Sequence, residues 1–440
     1  MTTPNLLTAT EAAEAIRTGN LTSRDLIDAC IARAEERADD VGAWIYLNPC
    51  LAREQADNCD QALAEGRDLG PLHGVPVGLK DIIDTADMPT ENGSALFEGR
   101  RPVADSTIAR LLRAAGAVIM GKTVTTEFAL SAPGKTKNPH DPAHTPGGSS
   151  SGSAAGVADH QVPLSVGTQT GGSMIRPASY CGIHGFKPTF GSISRAGMFP
   201  LARPLDHPGV YARSIDDIAL IGDVLMVKDP ADLDMRGHPR GKLADALSAP
   251  AGEPPKIAFV RGPMWEQGED YLDDVMQGAL VQLGKHVQEV EMTGVFDRAL
   301  ACQETVMMAN VLANIGDYCR DHADKVREET HRRAKSGEGI AADDYIKAIE
   351  FRDTIAAALD RMFDGYDVLI TAGATGEAPE GLGSTGNAAF QKMWTLLGVP
   401  TVTLPMLKGP NGLPIGLQVI GRYAHDGDML RHARWIEEQF

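Results

Sequence analysis

Positive charge is scarce in this 440-residue chain: 41 Lys plus Arg stand against 59 Asp plus Glu, a net charge of −18. A general nucleic-acid or membrane-surface binder presents a basic face, so neither partner is expected. Long apolar runs are missing too. None approaches the roughly 18 residues of a membrane helix, and the first residues hold no basic stretch leading into an apolar one, so no signal peptide is expected. Cysteines number six, with no C-x-x-C spacing. That argues against zinc knuckles, thioredoxin chemistry and a disulfide scaffold, and suits a reducing, cytoplasmic setting. Aromatics make up only 5%. What is abundant is glycine, 47 residues, with 27 prolines. The length suits two or three domains or one large α/β unit, and the glycines suit an enzyme with long functional loops.

Helical signals open the chain. Thr8 and Glu11 form a capping box, Gly19 ends that helix, and Thr22 with Asp25 starts a second. A third is expected near Leu51–Glu65. Val75–Ile83 reads as a buried strand carrying one lysine, Lys80, and Thr107–Ala115 as a helix before the strand Ala117–Met120. This strand–helix–strand order implies a sheet covered by helices. Residues 147–156 and 167–173 are dense in Gly and Ser. Asp229–Pro255 reads as a linker, Lys256–Val260 and His286–Val290 as strands, Tyr271–Leu283 as a helix and Ala301–Asp364 as largely helical. Tyr366–Thr371, Pro400–Pro405 and Leu413–Ile420 return to β-like patterns.

Several motifs compete. Gly116-Ala-Val-Ile-Met-Gly-Lys122-Thr123 fits the phosphate-loop pattern, but a helix precedes it and its middle residues are strand-formers, whose N–H groups belong in a sheet. An NTP-binding protein using Gly116–Thr123 is the alternative from a different class. Gly148-Ser149-Ser-Ser-Gly152 fits a nucleophile elbow, yet a polar, Pro-rich loop feeds it rather than an apolar strand. His140 and His144 are four apart, but Pro139 and Pro142 oppose a shared helix face and no third ligand is apparent, so no metal is expected. His184, in an apolar stretch, reads as packed. In Gly167-Thr-Gln-Thr-Gly-Gly-Ser173, consecutive glycines before a serine can aim several N–H groups at one point, as an oxyanion hole requires. Pro177 is expected to end regular structure there. Lys80, flanked by Val77, Leu79, Ile82 and Ile83, is either a buried base with a lowered pKa or the partner of Asp81 or Asp84.

Together these segments resemble the amidase signature family, the Ser–cisSer–Lys amidohydrolases. Gly74–Asp84 is similar to its lysine strand, Pro146–Ala155 to its Gly/Ser loop and Gly167–Ser173 to its nucleophile segment, with Ser149 and Ser173 at the family's spacing of 24. Weaker matches, among them Gly185-Phe-Lys-Pro-Thr, Trp394-Thr and Gly412-Leu-Pro-Ile-Gly-Leu-Gln, spread the likeness over most of 6–220 and again over 366–440.

The resemblance implies a fold: a large, mostly parallel mixed β-sheet flanked by helices on both faces. It is read as one domain over 1–440, with N-terminal helices (1–66), a catalytic core (67–224), a variable cap (225–365) and a core completion (366–440). It implies hydrolysis of a small amide through an acyl-enzyme, without cofactor or metal. A urethane (carbamate), aryl-amide or ester hydrolase with the same triad is the alternative. Ser173 would attack, Ser149 relay the proton on a cis peptide, and Lys80 serve as base. Backbone N–H groups of Thr170, Gly171, Gly172 and Ser173 would hold the oxyanion, and Ser150 would support the lysine. The substrate would be a small amide or carbamate, with a homodimer left open. Three departures stand out: Gln169 where Asp is usual, Ser151 for a glycine, and Ile175 where Arg is usual, with Arg176 following. Gln169 and Arg176 resemble the malonamidase-like branch, where the arginine meets a substrate carboxylate, and count against close kinship with the amidotransferases that act on tRNA.

Overall fold

The computed structural model describes residues 3–67, 70–235, 241–250 and 252–440. Within them the strands are β1 (Trp44–Leu47), β2 (Pro76–Lys80), β3 (Val118–Thr123), β4 (Leu164–Gln169), β5 (His184–Lys187), β6 (His207–Ala212), β7 (Ile257–Arg261), β8 (Val287–Glu291), β9 (Val368–Ala372), β10 (Thr401–Lys408) and β11 (Pro414–Ile420). All eleven join one sheet, in the order β1-β3-β2-β4-β6-β5-β10-β11-β9-β7-β8. The α-helices are α1 (Ala9–Arg17), α2 (Ser23–Glu36), α3 (Pro49–Ala64), α4 (Thr107–Ala114), α5 (Ser151–Ala158), α6 (Ile175–Cys181), α7 (Ile215–Leu225), α8 (Leu243–Ser248), α9 (Leu272–Leu283), α10 (Ala299–Asp321), α11 (Glu328–Lys335), α12 (Ala342–Met362), α13 (Ala389–Leu396) and α14 (Asp426–Glu437).

The sheet is mixed, as expected, but less parallel than expected. Strands β3, β2 and β4 run parallel on one side, and β9, β7 and β8 on the other. The remaining six pairings, β1 with β3 and every pair from β4 across to β9, are antiparallel. Part of the cause is a short connection: β10 and β11 are joined by a tight turn with Gly412 at φ +81°, and so short a link joins only antiparallel neighbours.

Side-chain alternation divides the core between the two faces. In β3, Val118 and Met120 pack with α2, α3 and α5, whereas Ile119 joins the larger cluster on the other face. The helix starts follow their predicted chemistry. Thr8 accepts the Glu11 N–H while Glu11 accepts that of Thr8, and Thr22 accepts the Asp25 N–H.

Two segments depart from their expected roles. Residues 225–365, expected as a cap, supply β7 and β8 to the sheet itself. The expected linker is tied down where it is described: Asp229 accepts from the hydroxyls of Thr107 and Ser194, and Asp232 pairs with Arg195. Residues 236–240 and 251 of that stretch lie outside the described residues.

Candidate active site

Lys80 is the last residue of β2, and its parallel neighbour β4 ends at Gln169. Their register, Leu79 opposite Val166, brings Lys80 beside the end of β4. The side chain is fully buried. Its Nζ lies 2.7 Å from Ser149 Oγ and 2.8 Å from Thr168 Oγ1. Neither acid next to it in sequence is a partner. Asp81 accepts the N–H groups of Glu91 and Gly93, and Asp84 pairs with Arg100. Burial therefore holds the lysine pKa well below 10.5, with the Asp206 carboxylate opposing the shift. Burial thus favours the neutral form of the amine, whose lone pair can accept a proton.

Ser149 enters from the Gly/Ser loop, and its peptide bond with Gly148 is cis. The loop leads into α5, which lies directly on the sheet. Only a residue without a side chain fits at Gly152, where a Cβ would stand 2.1 Å from the Ala43 carbonyl oxygen. Ser151, in place of a glycine, is accommodated by donating to the Val124 carbonyl at 3.3 Å. Ser150 does not touch Lys80. Its hydroxyl accepts the Thr168 N–H at 3.1 Å and donates to the Thr168 carbonyl at 3.0 Å. The direct contact to the lysine belongs to Thr168, and Ser150 acts one step behind by fixing that residue's backbone. A β-carbon at Gly167 would lie 2.8 Å from Ser150 Oγ, so the glycine permits this approach.

Past Gln169 the chain turns through Thr170–Ser173 into α6. All four carbonyls of this turn are held from behind: Thr170 by Gln303 Nε2, Gly171 by the Thr395 hydroxyl, Gly172 by the Arg176 N–H and Ser173 by the Tyr211 hydroxyl. The four N–H groups of the same residues find no acceptor among the described residues. Four donors left without acceptors beside the cavity are available to an anion that enters it. Thr170 also donates its hydroxyl to buried Asp206 at 2.6 Å. Gln169, which stands where Asp is usual, is fully buried. Its Oε1 accepts the N–H groups of Met174 and Ile175 at the start of α6, and its Nε2 donates to Thr395.

Ser173 lines a cavity of about 600 Å³ together with Thr170, Gly171, Gly172 and Arg176. Its side chain is 8% exposed and its hydroxyl has no hydrogen-bond partner among the described residues. The Lys80–Ser149 contact is thus formed, while a Ser149–Ser173 hydrogen bond is not. Arg176 reaches the cavity from α6 and donates to the Gly148 carbonyl at 2.7 Å and the Thr385 hydroxyl at 3.0 Å. No carboxylate of the described residues pairs with it. Glu127 instead serves Ser94, Thr330 and the Arg327 N–H, and Asp206 serves Thr170 and the N–H groups of Leu201 and Ala202. Pro177 does not end regular structure as expected. It sits in the first turn of α6, where its missing N–H would have no intrahelical acceptor.

The competing motifs go elsewhere. Val118–Thr123 is strand, paired on both sides by β1 and β2. Lys122 is fully buried and donates to the Ile83 carbonyl and the Thr90 hydroxyl, so no phosphate cradle exists at Gly116–Thr123. His140 contacts the Cys181 carbonyl and His184 contacts Glu437. The described residues hold no His, Cys, Asp and Glu cluster suited to a metal. No helix among them is long and apolar enough to cross a membrane.

Sequence reasoning missed Thr168, Thr385, Thr395, Gln303 and Tyr211. Thr168 lies inside the Gly167–Ser173 motif and Thr395 inside a weaker match, so a signal was present for both. Gln303 comes from a segment with no motif, and only folding places it behind Thr170.

The sequence model of the family described as Amidase matches residues 25–430. A glutamyl-tRNA(Gln) amidotransferase component from Synechococcus sp. (strain WH7803) is 32% identical over 96% of this chain and 94% of its own length. It is the kind of relative from which Gln169 and Arg176 were expected to set the chain apart. Among solved structures, native peptide amidase from Stenotrophomonas maltophilia superposes with a TM-score of 0.84 at 27% identity, covering 98% of this chain and 96% of that one. A chain described as part of a vestigial protein complex that bears on the origins of an s-triazine catabolic enzyme reaches a TM-score of 0.91 at 27% identity, covering 98% of each.

Proposed function

Since the chain belongs to the Amidase family, we propose that it hydrolyses the C–N bond of a small amide through an acyl-enzyme, with Ser173 as nucleophile, Ser149 as proton relay and Lys80 as base. The observation that carries this reading is the buried Lys80 amine, 2.7 Å from Ser149 Oγ and with no ion pair among the described residues. A serine hydroxyl is a poor nucleophile unless a base takes its proton. As Ser173 Oγ bonds to the amide carbon, its proton passes to Ser149 while the proton of Ser149 passes to Lys80. The carbonyl oxygen becomes an oxyanion facing the N–H groups of Thr170, Gly171, Gly172 and Ser173. Collapse breaks the C–N bond, and the proton returns from Lys80 through Ser149 to the departing nitrogen. Water then attacks the acyl ester, loses its proton along the same route, and releases the acid and free Ser173.

Arg176 supports a substrate with a carboxylate close to the scissile bond, as in the malonamidase-like branch. It lines the cavity and lacks a protein carboxylate, and a guanidinium binds a carboxylate through two parallel hydrogen bonds. The same triad serves carbamates and aryl esters, whose better leaving groups need less help from the returning proton.

Trapping the intermediate tests the reading. A fluorophosphonate should label Ser173 and nothing else, and Ser173→Ala should lose on the order of 10⁶ in turnover. Loss of only about tenfold would assign the nucleophile elsewhere.

A further inference from the structure

The cavity around Ser173 has a second charged wall that the proposed reaction leaves unused. Arg327 just before α11, Arg332 and Arg333 within α11, and Lys392 of α13 all line it. Two carboxylates answer them. Glu329 pairs with Arg332 and accepts from the Ser131 hydroxyl. Glu304 is shared by Arg333 and Lys392, at 2.9 and 2.8 Å. The Arg327 guanidinium donates to the Pro133 carbonyl. Counting buried Glu127 as well, which accepts the Arg327 N–H and the Thr330 hydroxyl behind the wall, four cations face three carboxylates and a surplus remains, and Arg176, with no ion pair among the described residues, adds a further cation to the same cavity.

Ordinary surface ion pairs would balance, particularly on a chain carrying −18 overall. A local reversal of sign inside a cleft instead focuses the field on whatever enters it. The geometry also favours a particular shape of anion. Three of the four cations are arginines, whose planar forks match carboxylates. Arg332 is 74% exposed at its side chain, so it can turn from Glu329 to an incoming group at little cost.

We infer that Arg327, Arg332, Arg333 and Lys392 form a second subsite, which receives a carboxylate that the substrate carries away from its scissile amide. With Arg176 serving the nearer carboxylate, the preferred substrate class is an amide bearing two carboxylates. The inference deepens the amidase reading of the cavity and rests on it for the identity of the substrate, but it is tested by binding alone.

Calorimetric titrations of the Ser173→Ala protein with glutarate, butyrate and inorganic phosphate at low ionic strength decide it. Glutarate is expected to bind at least about tenfold more tightly than butyrate, and added salt should erode the difference. Arg327→Gln combined with Arg332→Gln should abolish the preference while leaving butyrate binding and the melting temperature in place. Equal affinity for glutarate and butyrate, or a preference that survives the double substitution, overturns the subsite. Phosphate binding as tight as glutarate overturns its assignment to a carboxylate. A protein that prefers glutarate but turns over no amide keeps the subsite and loses the amidase reading. One that hydrolyses neutral amides without preferring glutarate loses the subsite alone.

Discussion

Lys80 Nζ lies 2.7 Å from Ser149 Oγ with no carboxylate of the described residues paired to it, and this relationship fixes how the protein should respond to pH. Burial lowers the pKa of the amine well below 10.5. Below the lowered pKa the amine is protonated and cannot accept from Ser149. Above it the amine is free. The kcat/KM profile should therefore rise with pH and reach its plateau far below the range of an ordinary lysine. A profile that still climbs steeply near pH 10 would assign the base to another group.

The same shift has a stability consequence. Between the folded pKa and 10.5 the unfolded chain holds the Lys80 proton and the folded chain does not, so stability from this group rises with pH across that window. Lys80→Met should remove the titration along with the proposed amide hydrolysis. Its melting temperature relative to wild type should be higher at pH 6 than at pH 10. A constant offset across that range would mean that Lys80 is not desolvated in solution.

Thr168→Val keeps the shape of the side chain and removes the second hydroxyl at Lys80, 2.8 Å from Nζ. We expect kcat to fall by roughly ten- to a hundredfold, from a loss of about 1.5–3 kcal/mol in placing the amine. KM should hardly change, because Thr168 does not line the cavity. Steady-state kinetics on one amide substrate settles the point, since a rise in KM alone would contradict a role through Lys80.

Arg176 distinguishes substrate binding from loop support. Arg176→Lys and Arg176→Ala should each lose roughly 2–5 kcal/mol on an amide bearing a carboxylate and little on its neutral methyl ester. Equal losses on both substrates, with a lowered melting temperature, would make the residue a strut between Gly148 and Thr385.

Lys122 should matter to stability and not to nucleotides. Lys122→Ala strips the donor from the Ile83 carbonyl and the Thr90 hydroxyl and takes the nearby cation from buried Asp81, whose carboxyl burial pushes above the usual carboxylate range. A loss of about 3 kcal/mol is expected in denaturant melts. Magnesium ATP should shift the melting temperature of neither protein. A saturable shift would restore the nucleotide reading of Gly116–Thr123.

What the sequence determined by itself is local. Periodicity and caps placed α1, α2, α4 and α9, and apolar runs placed β2, β7, β9 and β11, because these signals act within a few residues. The three candidate residues Lys80, Ser149 and Ser173 each stand inside a short motif, and of these the fold brings Lys80 and Ser149 into hydrogen-bond contact. One local reading failed where long-range packing overrode it. The Gly- and Ser-rich stretches hid β4 and α5, whose small residues are needed because helix and sheet touch there at Gly152 and Gly167. The phosphate-loop pattern at Gly116–Thr123 was already opposed by its strand-forming middle residues, and pairing with β1 and β2 on both sides agrees with that.

Tertiary structure alone decided which group supports which. Ser150, one residue from Ser149, bonds to the backbone of Thr168, while Thr168, 88 positions from Lys80, reaches the amine. Gln303 and Thr395 hold the Thr170 and Gly171 carbonyls from more than a hundred residues away, leaving the N–H groups of that turn free to face the cavity. Such pairings follow no sequence spacing. They arise because a buried polar group must find a partner, and the packed sheet dictates which partner is within reach.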